Sequence, residues 1–131
     1  MGNWIQNITL NGNSYNLESS KEIGSLTYLN GFSQITPRNF IVRIGKILLI
    51  SLAVQIPKVD SDQWIEVVSF SGIDVSRAHD ANFRTVSTSP NISGSTTRDC
   101  QILPSQKKVL MFASDKDEGE SVWIQGFTYY E

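Results

Sequence analysis

The sequence is short of most of the residues on which small-protein chemistry is built. Its 131 residues include one cysteine, Cys100, and one histidine, His79. A single cysteine forbids an intrachain disulfide and a cysteine-based metal site, and a single histidine forbids a multi-histidine centre. No metal and no cofactor is therefore expected, and Cys100 reads as a small buried apolar residue. Charge is also sparse, at 18% of residues, with 11 Lys and Arg against 13 Asp and Glu. A net charge of −2 offers no basic surface, and Lys107-Lys108 is too short a run to make one, so nucleic acid is not an expected partner.

Long hydrophobic runs are missing too. The longest, Ile47–Ile56, is about half of what a membrane helix needs, so no membrane insertion is expected. Met1–Gln6 has no charged segment followed by an apolar stretch, which argues against a signal peptide. Without a secretory signal, the acceptor patterns Asn7-Ile8-Thr9 and Asn91-Ile92-Ser93 carry little weight for glycosylation. No apolar pattern of helical period runs beyond two turns, and there is no internal repeat.

What is present is strands and turns. Trp4–Leu10 and Ser14–Leu17 flank Asn11-Gly12-Asn13, and Asn-Gly between alternating runs predicts a hairpin with a type I′ turn. The polar stretch Ser19–Ser25 reads as a connector. Leu26–Leu29 ends at Asn30-Gly31, Phe32–Ile35 follows, and Pro37-Arg38-Asn39 breaks the chain before Phe40–Ile44. Gly45-Lys46 is too short for a parallel crossover, so the strand it leads into, Ile47–Ile56, pairs antiparallel with the one before. That strand is apolar at most positions and reads as buried on both faces.

Trp64–Phe70, Phe83–Ser87, Cys100–Leu103, Lys107–Ala113 and Val122–Tyr130 are further strands. The segment 71–99, with its turn-rich stretch Ser89–Thr97, reads mainly as loops, where a β domain carries much of its function. The aromatic closing run predicts a last strand docked into a sheet. Together these imply an all-β protein, an antiparallel β-sandwich of jelly-roll-like form. Residues 1–25 form a hairpin and connector, and 26–131 the sandwich, within one globular unit. The expected core contributors are Ile47, Leu49, Val54, Ile65, Val67, Phe70, Val109, Met111, Val122 and Ile124.

A catalytic constellation is not visible. There is no Gly-x-Ser-x-Gly elbow, and no Ser or Cys stands out as a nucleophile for His79. Glu66, Asp74 and Asp80 do not by themselves make a glycosidase pair, and Asp115–Gly119 departs from a calcium-loop pattern at Lys116. The expectation is a protein that is not an enzyme. The remaining inventory suits a saccharide, which is held by an aromatic face and by planar polar side chains: Trp64, Arg77, His79, Asp80 and Asn82. The competing reading makes Trp64 a core residue and the others ordinary loop surface.

The succession Phe40–Ile50, with its Arg43-Ile44-Gly45 turn into a hydrophobic strand, is followed by Ile56-Pro57, the Trp64–Phe70 strand, Ile102-Leu103-Pro104 and Val122–Gly126. In strand order and punctuation this resembles the receptor-binding head domains of tail and baseplate proteins from siphophages of Gram-positive bacteria. The resemblance spans about Gly31 to Tyr130. It implies a virion location, a β-sandwich that trimerises, other virion tail proteins as neighbours, and a host cell-wall saccharide as ligand. Two alternatives stay open. One is a monomeric carbohydrate-binding module of a secreted enzyme; the other is a purely structural virion protein.

Overall fold

A computed structural model describes residues 7–16, 21–87 and 97–131. The turn-rich stretch expected at Ser89–Thr97 and the outer ends of the first hairpin, at 4–6 and at 17, fall largely outside the described residues. The described strands are β1 (Asn7–Leu10), β2 (Asn13–Asn16), β3 (Lys21–Ile23), β4 (Ser25–Tyr28), β5 (Ser33–Gln34), β6 (Phe40–Ile44) and β7 (Ile47–Gln55). They continue with β8 (Gln63–Ser71), β9 (Ala81–Ser87), β10 (Thr97–Leu103), β11 (Lys108–Ala113) and β12 (Ser121–Tyr129). One 3₁₀ turn, Pro104–Gln106, joins β10 to β11.

β1 and β2 form a separate two-stranded sheet. The others form a hydrogen-bonded series in the order β3-β6-β7-β12-β9-β10-β11-β8-β4, with β5 pairing β7 beside it. Every pairing is antiparallel, and the series folds over on itself into a two-layer sandwich. One layer is β3-β6-β7-β12 and the other β9-β10-β11-β8-β4. The layers are stitched at β12–β9, where Val122 pairs with Ser87 and Trp123 with Val86.

The turns follow from residues that accept left-handed backbone. Asn11 and Gly12 have φ of 51° and 80°, the double positive value of a type I′ hairpin. In the Gly45-Lys46 turn only Gly45 is positive, at 59°, which suits the type II′ alternative. The segment read as a polar connector contributes β3 and the start of β4. Its alternation of exposed and half-buried residues is too short to stand out in the sequence, and pairing with β6 and β8 decides its conformation. Gly24, between them, carries the chain from one layer to the other. A Cβ there would lie 2.7 Å from Ile41 Cγ2 and 2.8 Å from Ile73 Cδ1, so the corner closes only around glycine.

The core lies between the layers. Ile41, Leu48, Ile50, Leu52, Val54, Val122 and Ile124 meet Val67, Val68, Phe70, Cys100, Ile102, Val109 and Met111. Side chains of this size stabilise the fold by about 1.5–3 kcal/mol each when fully buried. Two expected core residues belong elsewhere. Ile47 is 45% exposed and Leu49 half-buried, because β7 turns Leu48, Ile50, Leu52 and Val54 inward. A strand that is apolar on both faces does not declare its register; the pairing Ile44↔Ile47 across the two-residue turn fixes it. Ile65 is half-buried against the core. In β8 the alternation breaks at Val67-Val68, both inward, because the register shifts between Val109 and Leu110 and leaves Val67 as the extra residue of a bulge.

One ionic cluster is buried at the start of β10. Arg98 Nη2 donates to Asp117 Oδ1 at 2.6 Å and to Glu120 Oε2 at 2.5 Å. Asp117 Oδ2 accepts the Ser114 backbone N–H at 2.8 Å, so the same carboxylate shapes the β11–β12 turn. A second cluster closes the other end, where the Arg43 guanidinium lies 4.0 Å over the Tyr130 ring and the Tyr130 hydroxyl donates to the Asp74 carbonyl.

Candidate functional site

The second layer presents two rows of side chains to solvent. Cross-strand pairing aligns Trp64, Phe112, Asp99 and Arg84 in one row, and Glu66, Leu110, Gln101 and Asn82 in the next. Trp64 is 42% exposed, standing edge-on to Phe112 with ring centroids 5.6 Å apart. It is a surface residue, not a member of the core.

Trp64 forms a wall of two hollows. The first, about 360 Å³, is also lined by Asn82, Arg84, Asp99 and Gln101, with Phe83 and Cys100 beneath. The second, about 430 Å³, lies on the other side, among Asn30, Lys58, Asp60, Gln63 and Glu66. The indole is a ridge between them. Its neighbours in the first hollow are the neutral amides of Asn82 and Gln101 and an ion pair, Arg84 Nε donating to Asp99 Oδ1 at 2.9 Å. Glu66 is likewise paired, accepting from Lys108 Nζ at 2.9 Å. An apolar ring face beside neutral planar donors and acceptors, with the charges of Arg84, Asp99 and Glu66 paired, suits an uncharged polyhydroxylated ligand.

Cys100 contributes no nucleophile to this surface. Burial, with a smaller contribution from the Asp99 charge, pushes its thiol from an ordinary 9.0 up to about 12, so it stays protonated near neutral pH. Among the residues lining the first hollow Asp99 is the single carboxylate, and Asp60 and Glu66 line the second.

The five residues picked from the sequence do not converge. Trp64 and Asn82 line the same hollow. Asp80, two residues before Asn82, accepts from the Ser105 hydroxyl at 3.1 Å beside the 3₁₀ turn. His79 stacks on Tyr129 with centroids 4.5 Å apart and faces Glu131 at 3.5 Å. Arg77 is exposed with φ of 67°, and its carbonyl accepts the Glu131 N–H. These last two belong to the chain's closing corner, because the Ala78–Tyr130 bridge ties their segment to the end of β12. Arg84, Asp99 and Gln101 escaped notice. The signal was period two along β9 and β10, which start earlier, at Ala81 and Thr97, than composition indicated.

The Asp74 carboxyl is held below the usual range. The Ser76 hydroxyl and backbone N–H donate to it, with a smaller contribution from Arg43. This shapes a turn and lies apart from the hollows. Among the described residues no group of three His, Cys, Asp or Glu side chains could hold a metal ion, and no helix is long and apolar enough to cross a membrane. Compared with known proteins, the chain matches no family model, no curated protein and no solved structure.

Proposed function

We propose that this protein is a non-catalytic recognition module that holds a neutral host-surface saccharide against Trp64. Its setting is the phage tail or baseplate that its strand order and punctuation resemble. The observation that carries the reading is the Trp64 ridge, an exposed indole shared by two hollows on a rigid sheet face. A sugar ring placed on the indole brings its hydroxyls to the Asn82 and Gln101 amides on one side, and to Asn30 and Gln63 on the other. A two-sided ridge favours an oligosaccharide over a single sugar, since adjacent units can occupy both hollows.

The test is titration calorimetry of the wild type and of Trp64→Ala against purified cell-wall polysaccharide fragments from Gram-positive bacteria. Binding by the wild type, weakened at least about tenfold by Trp64→Ala, supports the reading. The variant must keep its far-UV spectrum and nearly its melting temperature, which separates lost binding from lost folding. Unchanged binding in Trp64→Ala, or no binding by the wild type across fragments of differing composition, sinks it.

A further inference from the structure

The outer face of the first layer is apolar where a solvated sheet is usually polar. Register places Tyr129, Ile47, Ile44 and Lys21 in one row, and Phe127, Leu49, Val42 and Ile23 in the next. Gln125, Ser51 and Phe40 follow, then Trp123 and Ala53, beside which the Ile35 N–H donates to the Ala53 carbonyl. Ile23, Phe127 and Tyr129 are 67%, 62% and 57% exposed, with His79 stacked against the Tyr129 ring. Lys21, at one corner, is the only charge in these rows.

We infer that this face is the interface of a two-fold homodimer, two copies stacking their β3-β6-β7-β12 sheets. Area is the first argument. At about 200 Å² for a whole aromatic side chain, the exposed parts of Phe40, Trp123, Phe127 and Tyr129 amount to about 400 Å². The three isoleucines Ile23, Ile35 and Ile47 raise the patch to roughly 600 Å², at the upper limit for a monomer. Adding Gln125, between the Phe127 and Trp123 rows, with Gln55 and Ser33 at the margin, brings it near the ~800 Å² that each partner of a standard interface hides. Its make-up, rich in aromatics and nearly free of charge, is that of an interface core.

Complementarity chooses the occupant. The other sheet face carries the Arg84–Asp99 and Lys108–Glu66 pairs, so docking the apolar face there would strip water from four charges. The apolar face meets no such cost against itself. Self-complementarity of one patch is the property of a two-fold contact, whereas a closed ring of three needs two different matching patches. The inference thus differs from the three-fold arrangement that the resemblance implies, and it leaves the Trp64 ridges of both copies facing outward.

Light scattering after size exclusion, on the full chain over a hundredfold concentration range, tests this. The wild type is expected at twice the chain mass. Phe127→Asp and Gln125→Arg, both at exposed positions, are expected to raise the dimer dissociation constant at least about tenfold, the second by setting like charges against each other near the middle of the face. Phe112→Ser, on the opposite layer, is expected to leave the dimer intact. Should Phe127→Asp fail to fold, Gln125→Arg decides alone, because it replaces one exposed polar side chain by another. A wild-type monomer at every concentration, a trimer, or a dimer indifferent to Gln125→Arg overturns the proposal.

Discussion

Replacing Arg98 by methionine should be among the most damaging single changes available on this chain. The side chain is 8% exposed, and its Nη2 donates to both Asp117 and Glu120. Methionine retains the length and apolar stem of arginine while deleting the cation, so lost packing adds little. What remains is two nearly buried carboxylates that have lost their shared guanidinium. Removing one partner of a buried ionic group costs about 3–5 kcal/mol, because the residual charge is left without compensation. For a chain of this size 1 kcal/mol moves the melting temperature by about 3–4 °C, so a drop of about 10–20 °C is expected. Asp117→Asn should be milder, about 1–2 kcal/mol, since Glu120 still accepts from Arg98 and the amide oxygen can still accept the Ser114 N–H. Urea titrations of both single variants, with the melting curves, give the two numbers. A loss below about 1 kcal/mol for Arg98→Met would mean that the cluster behaves as a hydrated surface pair, and the reasoning from burial would fail.

Other expectations are simpler. Gly24→Ala should cost about 1–3 kcal/mol by overpacking against Ile41 and Ile73, measured by the same titration; a neutral result would mean that the corner relaxes freely. Cys100 should resist iodoacetamide in the folded state at pH 8 and react once urea unfolds the chain; rapid folded-state labelling would contradict its burial. Because the folded thiol titrates near 12 and the unfolded one near 9.0, stability is full below pH 9 and declines as pH rises from 9 toward 12. Cys100→Ala should remove that alkaline component, and an unchanged pH slope would show that the thiol does not cause it.

Much of the fold could be read directly, and the reasons are local. Asn11-Gly12, Asn30-Gly31 and Gly45 take the positive φ values that their residue types invite, so turn positions were legible. Strands with clear alternation, such as β12 with Val122 and Ile124 inward, were legible for the same reason. β7 was not, because every residue from Ile47 to Ile50 is apolar and either face could have been the inner one. β9 and β10 were understated: their outward positions are Asn82, Arg84, Asp99 and Gln101, and polar residues in such numbers look like loop until the pairing partner is known. Site geometry was less accessible still. Trp64 on β8 and Asn82 on β9 line one hollow although β11 and β10 lie between their strands, an arrangement set by the whole sheet order. His79 and Asp80 lie just before Asn82 along the chain, yet the bridge to Tyr130 and the contact with Ser105 draw them to other neighbours.

The Gly24 corner has a consequence for how the molecule opens. Residues 21–28 form one continuous stretch that hydrogen-bonds to β6 on one side and to β8 on the other, and β12 pairs with β9 where the layers meet again. Neither layer can peel away while those shared strands hold. The amide protons of Leu48 in β7 and Val109 in β11, one from each layer, should therefore exchange with solvent at a common rate set by global opening. The sandwich would then be a single cooperative unit with no half-open form.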